Sequence, residues 1–337
     1  MKPTFAAIRD IAYHLPEYAL TNAVLTEEFP EWSIEKIAAK TGIDQRRIAA
    51  EGEFSSDLAL KASQLLLERH TSSAVDYLIL CTQSPDYYLP TMACILQEKL
   101  GLNTAIGAFD FNLGCSGYVY GLGMAKALIE NGQASSVLLV TAETYSKFIN
   151  KGDKSVRTLF GDAASATLVE GVYASSAPMQ GFAYGTDGKG AGNLIVPRGG
   201  MRPEREGLGL SAEARGLESN GFDLYMNGPE IFNFTLRVVP ECVERVLNKT
   251  GKALEDIDLF VFHQANRYMM DHLRKKLEIP AEKFYIYLED CGNTVSSTIP
   301  IALFHAQLEG ILKPGMTVMT LGFGVGYSWA GALIDWV

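Results

Sequence analysis

The chain of 337 residues repeats itself. Val75-Asp-Tyr-Leu-Ile-Leu-Cys-Thr-Gln83 resembles Ile257-Asp-Leu-Phe-Val-Phe-His-Gln264, a step of 182 positions. Leu96-Gln-Glu-Lys-Leu100 resembles Leu273-Arg-Lys-Lys-Leu277, a step of 177, and Val137-Leu-Leu-Val-Thr141 matches Val318-Met-Thr-Leu321, a step of 181. The strand, turn and helix around Cys115 correspond to Phe284-Tyr-Ile-Tyr-Leu-Glu-Asp-Cys-Gly-Asn293 and the helix that follows to Gly310. Four matches in the same order, all near half the chain length, divide it into two similar halves, 1–172 and 173–337. Pseudo-twofold packing of such halves brings equivalent turns to a shared surface. Cys115 is matched by Asn293 to within one residue, and Cys81 by His263. All three candidates, Cys115, His263 and Asn293, therefore fall on strand-end turns, where α/β proteins build their sites.

Strand-like and helix-like stretches alternate, which predicts an α/β fold. Strands are expected at Ala6–Ala12, Tyr77–Cys81, Ala105–Phe111 and Val137–Thr141, and a turn and strand of small residues over Leu159–Val169. Helices are expected at Ser56–His70, Ala93–Leu100 and Ile231–Leu247, the last with Pro240 as a kink, and Leu25–Thr41 reads as partly helical cover. The helix Tyr118–Ile129 has no wide charged face and is expected to be buried, its glycines allowing close packing. Gly185–Gly228 interrupts the pattern. Its glycine- and charge-rich runs fit neither GxGxxG nor GxxxxGK[ST], so a long surface loop is expected there rather than a phosphate cradle.

A net charge of −10 argues against a general nucleic-acid or membrane-surface binder. The five cysteines show no CxxC and no regular spacing, which fits a reducing compartment and neither a disulfide framework nor a zinc site. The N-terminus has no apolar leader and no run approaches roughly 18 apolar residues, so the expectation is a soluble cytoplasmic protein without membrane spans.

The chemistry starts at Phe109-Asp-Phe-Asn-Leu-Gly-Cys-Ser-Gly-Tyr118, which sets one thiol at the head of the buried helix. Unpaired backbone N–H groups and the positive helix end favour thiolate, the form that attacks acyl groups. His263 ends a buried strand in Phe260-Val-Phe-His-Gln-Ala-Asn266, Asn293 lies in Cys291-Gly-Asn-Thr-Val-Ser-Ser-Thr298, and Gly322-Phe-Gly-Val-Gly-Tyr-Ser-Trp329 offers a backbone N–H loop. Each has a purely structural explanation alone: packing, a satisfied core histidine, a helix cap, a strand–strand turn. Together they supply a nucleophile, two neutral donors and an N–H loop, a set suited to acyl transfer.

These segments, with Leu159-Phe-Gly-Asp-Ala-Ala-Ser165, Tyr225-Met-Asn-Gly-Pro-Glu-Ile-Phe232 and Lys313-Pro-Gly315, occur in the order and spacing of a known family. Over essentially its whole length the chain resembles the β-ketoacyl-acyl carrier protein synthase III group of the thiolase superfamily. The resemblance implies two βαβαβαββ halves in a five-layer αβαβα sandwich, a homodimer, and no metal or redox cofactor. It implies that Cys115 takes an acyl group from a thioester donor, with the backbone N–H groups of Cys115 and Val325 as oxyanion hole. His263 and Asn293 would hold the enolate formed as a malonyl thioester on acyl carrier protein loses CO₂, and the carbanion would attack acyl-Cys115. It also implies an acyl pocket at Phe160 and at Leu89, where a residue from the partner subunit limits chain length, and carrier-protein docking by Arg267, Lys275 and Lys276. The Cys-His-Asn set favours decarboxylative condensation within the superfamily, and Cys291 is read as packing.

The chain departs from the family in places. The tryptophan and arginine that sandwich adenine in users of acyl-coenzyme A are replaced by Lys36 and Lys154, with Trp32 and Arg157 a few residues away. Lysine supplies no flat face, so the acyl-thioester donor stays open between coenzyme A and carrier protein. Tyr268 stands at the main docking arginine, Tyr87 and Tyr88 flank Leu89, and the insertion around 198–220 points to a specialised pathway. Two other readings remain open: acyl transfer from Cys115 to a hydroxyl or amine without condensation, and a catalytically silent partner subunit.

Overall fold

The computed structural model describes residues 4–201 and 222–337. Strands β1 (Thr4–His14), β4 (Tyr77–Cys81), β5 (Gly107–Phe111), β6 (Ser136–Glu143) and β7 (Ala163–Tyr173) form one sheet in the order β1-β7-β6-β4-β5. Between β1 and β4 a short ribbon of β2 (Tyr18–Thr21) and β3 (Gln45–Ile48) stands apart. Strands β8 (Met179–Thr186), β11 (Leu259–Phe262), β12 (Thr317–Gly324) and β13 (Ser328–Asp335) form the second sheet in the order β11-β12-β13-β8. The pairings correspond: β4–β6 and β11–β12 are parallel, β6–β7 and β12–β13 antiparallel, and β1 and β8 close the same side.

Every residue of β6 and β12 is buried, because both faces of each sheet are covered and the strands read as continuous apolar runs. Between the sheets lie the helices Gly117–Glu130 and Thr298–Leu308. One cluster joins Tyr118, Leu122 and Ile129 with Ile299 and Leu303, and reaches Ile79 and Leu139 on one sheet and Val261 and Val318 on the other. On the outer face of the first sheet pack Ser55–Leu67 and Met92–Lys99, and on that of the second Gly228–Thr250 and Arg267–Lys276. The layers run αβαβα, the expected five-layer sandwich. At Gly121 a Cβ would come to 2.5 Å from Leu139 Cδ1, so the missing side chain lets the central helix lie close on the sheet.

One expected equivalence is reduced. Phe284–Leu288, matched in sequence to the strand before Cys115, makes only a parallel bridge from Phe284 to Phe260. The Gln264 side chain takes the place of a ladder, accepting the Tyr287 N–H at 3.0 Å and donating to the Phe262 carbonyl at 2.6 Å. Helix boundaries follow capping chemistry. Leu25–Thr41 resolves into Asn22–Glu28, capped by Thr21, and Ile34–Thr41, capped by Ser33. Gly228–Thr250 is capped by Asn227, has Pro229 in its first turn and runs through Pro240.

The segment expected to be surface loop is in part built in: β9 (Leu194–Ile195) pairs with β10 (Tyr225–Met226), and Leu194 is buried. Most of the insertion around 198–220 and of its charged run lies outside the described residues. Among the described residues no helix is long and apolar enough to cross a membrane.

Candidate active site

Cys115 follows β5 after the three residues Asn112, Leu113 and Gly114, one position before the Ser116 that opens the central helix. The thiol is 6% exposed. Strand β12 from the second sheet runs against it. A Cβ on Gly324 would lie 3.0 Å from both Cys115 Cβ and Sγ, and one on Gly322 would collide with the Cys115 carbonyl oxygen. Only glycines let the two halves approach this closely. Val325 stands beside the same turn, its Cγ1 3.0 Å from where a Gly114 Cβ would be. Burial and the Glu143 carboxyl push the thiol well above its ordinary pKa, with the Cys115 backbone N–H opposing. At this depth desolvation opposes the pull of the helix end towards thiolate.

His263 lies just beyond β11, its N–H donated to the Leu321 carbonyl at 2.8 Å. Nδ1 lies 2.7 Å from Thr298 Oγ1, and the edge of Phe323 meets the ring with centroids 5.4 Å apart. Burial lowers the imidazole pKa to about 3, so it is neutral at physiological pH.

Asn293 sits in a narrow parallel bridge with Phe160: Asn293 N–H donates to the Leu159 carbonyl at 2.9 Å and Gly161 N–H to the Asn293 carbonyl at 3.0 Å. Its Oδ1 accepts the Val295 N–H at 2.9 Å. That bond identifies the amide oxygen and leaves Nδ2 as the free donor. Val295 holds φ 56°, a costly conformation for a β-branched residue, of the kind retained where a site over-determines the backbone.

Cys115, His263 and Asn293 line one cavity of about 640 Å³, with Phe160, Leu194, Met226 and Phe323 around them. Trp32, Lys40, Phe232 and Tyr268 also border it. Trp32 thus reaches the cavity despite its four-residue displacement, and Lys36 and Lys40 lie over its ring at 5.8 and 5.3 Å. Arg157 is not similarly free: its guanidinium forks onto Glu28 with two contacts of 2.7 Å, while Lys154 pairs with Glu31.

Of the acyl-pocket candidates, Phe160 lines the cavity. Leu89 does not, being 85% exposed on the loop with Tyr87 and Tyr88, so within one chain it closes nothing. Arg267 is exposed and lies along Gly42; Lys275 and Lys276 are exposed at the other end of the same helix, roughly 12 Å along its axis.

Sequence reasoning passed over three groups that hold the site. Thr298 anchors His263, and Glu143 is a fully buried acid at the end of β6. Arg46, also fully buried, donates to the Thr158 carbonyl at 2.9 and 2.6 Å and supports the segment that bridges Asn293. An acid closing the apolar run Val137–Glu143 was the visible signal for one of them.

The family model described as 3-oxoacyl-[acyl-carrier-protein] synthase III matches residues 109–188, and its C-terminal counterpart matches residues 247–336. A β-ketoacyl-[acyl-carrier-protein] synthase III from Caldanaerobacter subterraneus is 39% identical over 334 residues, covering 98% of each chain. Among solved structures, a 3-oxoacyl-(acyl-carrier-protein) synthase III superposes with TM-score 0.93 at 52% identity, over 98% of this chain and all of that one. A 3-oxoacyl-(acyl-carrier protein) synthase from Burkholderia xenovorans superposes with TM-score 0.91 at 36% identity, over all of this chain and 95% of that one.

Proposed function

Since the chain belongs to the 3-oxoacyl-acyl carrier protein synthase III family, we propose that Cys115, His263 and Asn293 carry the family's reaction here. The protein is an acyltransferase that condenses an acyl group with malonyl-acyl carrier protein in fatty-acid biosynthesis. What supports the residue roles is one observation: the three side chains share a single cavity, contributed by both halves.

In this reading the Cys115 thiol gives up its proton as sulfur bonds to the acyl carbonyl, and the donor thiolate leaves and is protonated. The backbone N–H groups of Cys115 and Val325 receive the tetrahedral oxyanion. A malonyl thioester then loses CO₂, its C–C bonding pair becoming an enolate whose oxygen takes hydrogen bonds from His263 and Asn293. The carbanion bonds to the acyl carbon, and Cys115 leaves and regains a proton. A neutral histidine suits the task, and burial supplies one. The Thr298 hydroxyl donates to the Val295 carbonyl at 3.0 Å and lies 2.7 Å from His263 Nδ1, which fixes the ring and leaves Nε2 as the nitrogen available to the enolate oxygen.

The halves 1–172 and 173–337 are read as two copies of one unit, supported by the matching strand orders. The acyl donor is an acyl thioester of coenzyme A or of carrier protein, and Arg267, Lys275 and Lys276 present the basic surface for the acidic carrier. A homodimer is supported by β5, an edge strand only half-buried along its whole length, and by the exposed Leu89 loop. A second copy covering that edge would bring its own Leu89 to bear on the acyl pocket.

Two measurements test the reading. Intact-protein mass spectrometry with a panel of acyl thioesters is expected to give an adduct that Cys115→Ala abolishes, and labelled malonyl thioester is expected to release ¹⁴CO₂. An adduct surviving Cys115→Ala removes the nucleophile assignment, and no CO₂ with any donor removes condensation.

A further inference from the structure

Glu143, the last residue of β6, is fully buried and lies outside the cavity lining. Gln83 directs its backbone N–H at both carboxyl oxygens, at 3.3 and 3.1 Å. Ser84 donates its hydroxyl to Oε2 at 3.0 Å, and Ser296 donates to Oε1 at 2.9 Å. Gln83 and Ser84 follow β4, on the Cys115 side of the molecule. The Gln83 side chain lies against the Cys115 turn: its Oε1 accepts the Tyr145 hydroxyl at 2.5 Å and sits 2.5 Å from where a Gly114 Cβ would be. Ser296 comes from the other half and directly follows Val295, whose N–H holds Asn293 Oδ1. One carboxyl thus touches the supports of both the nucleophile and the enolate donor.

The ionisable groups acting with it are Asp162, Cys81, Cys115 and Tyr145, all acidic. Burial raises the Glu143 pKa to about 8, the Gln83, Ser296 and Ser84 bonds pull it back, and Asp162 adds to the rise. A buried carboxyl with no cation beside it among the described residues is a costly way to join two segments.

We propose that Glu143 is a positioning residue for condensation: its bond to Ser296 seats the Asn293 turn against the Cys115 side. This rests on the Cys115–His263–Asn293 reading above.

Three variants separate bond from charge. Ser296→Ala removes the bond and keeps the carboxyl; Glu143→Asp keeps the charge but withdraws it from Ser296 by one methylene; Glu143→Gln keeps the shape and removes the charge. Condensation is followed with Cys115 already acylated, and alkylation of Cys115 by iodoacetamide is read by peptide mass spectrometry between about pH 6 and pH 10. Ser296→Ala and Glu143→Asp are expected to lower condensation about tenfold, the order of one buried hydrogen bond, with the alkylation profile of the wild type. Glu143→Gln, which still offers Ser296 an acceptor, is expected to lose less than either. Wild-type condensation in both bond variants, or a Ser296→Ala alkylation profile disturbed as much as its condensation, overturns the proposal. If Glu143→Gln does not fold, the two bond variants decide. A wild-type protein that neither acylates Cys115 nor releases CO₂ overturns the underlying reading instead, a result distinct from active wild type with silent variants.

Discussion

Asn293 holds its side-chain oxygen on the N–H of Val295 at 2.9 Å, and Val295 accepts a left-handed backbone at φ 56° to offer it. Asn293→Asp keeps that bond through its remaining carboxylate oxygen but replaces the free Nδ2 donor with an anion. Malonyl decarboxylation is expected to fall about 10²–10³-fold, the loss typical of one oxyanion donor. Acylation of Cys115, followed by mass spectrometry, should continue near the wild-type rate.

Gly324→Ala puts a methyl 3.0 Å from Cys115 Cβ and Sγ, tighter than backbone on β12 can easily relieve. The expected outcome is a folded protein whose Cys115 acylates at least about tenfold more slowly, since small misplacements of a nucleophile carry large rate penalties. Circular dichroism alongside the adduct time course checks it.

Thr298→Val is nearly isosteric and deprives His263 Nδ1 of its partner at 2.7 Å. Unfolding free energy should drop by about 1–3 kcal/mol, the cost of one unsatisfied buried polar group. Condensation should fall more than acylation. ¹⁵N chemical shifts of the wild-type imidazole report which ring nitrogen carries the proton; the donor role of His263 needs it on Nε2.

His263 also governs acid stability. Its folded pKa, held near 3 by burial, lies below the ordinary 6.5. The unfolded chain therefore binds a proton that the folded one refuses, and the stabilisation present above pH 6.5 is lost as pH falls toward 3, at up to about 1.4 kcal/mol per unit. His14 and His305 are likewise lowered by burial and add to the same slope. Urea unfolding at pH 6.5 and 5 should cost wild type about 2 kcal/mol more than His263→Gln.

Trp32→Ala should raise KM for the acyl donor several-fold and leave kcat unchanged, because Trp32 borders the cavity without belonging to the Cys115–His263–Asn293 set. An unchanged KM would remove Trp32 from donor binding.

The architecture was legible because duplication and period are carried by many residues at once: β4, β6, β11 and β12 lie where the matched apolar runs predicted them. The fifth strand of the second half was not, because the Gln264 side chain replaces backbone pairing there, and no pattern of apolar residues announces that. The gathering of Cys115, His263 and Asn293 followed from the repeat. The upward push on the Cys115 pKa did not, since it comes from burial and from Glu143, which enters from a strand that reads as core. Leu89 shows the opposite limit: its surroundings in one chain are solvent.

The contact of Gly324 with Cys115 has a genetic corollary. If the chain were cut between β7 and β8, each piece would keep a nearly whole sheet yet neither would contain a working centre, and activity would return only on reassociation. Lesions that loosen how the two sheets seat on each other should therefore behave like active-site lesions, abundant in the cell and silent in the assay, even when they map far from Cys115.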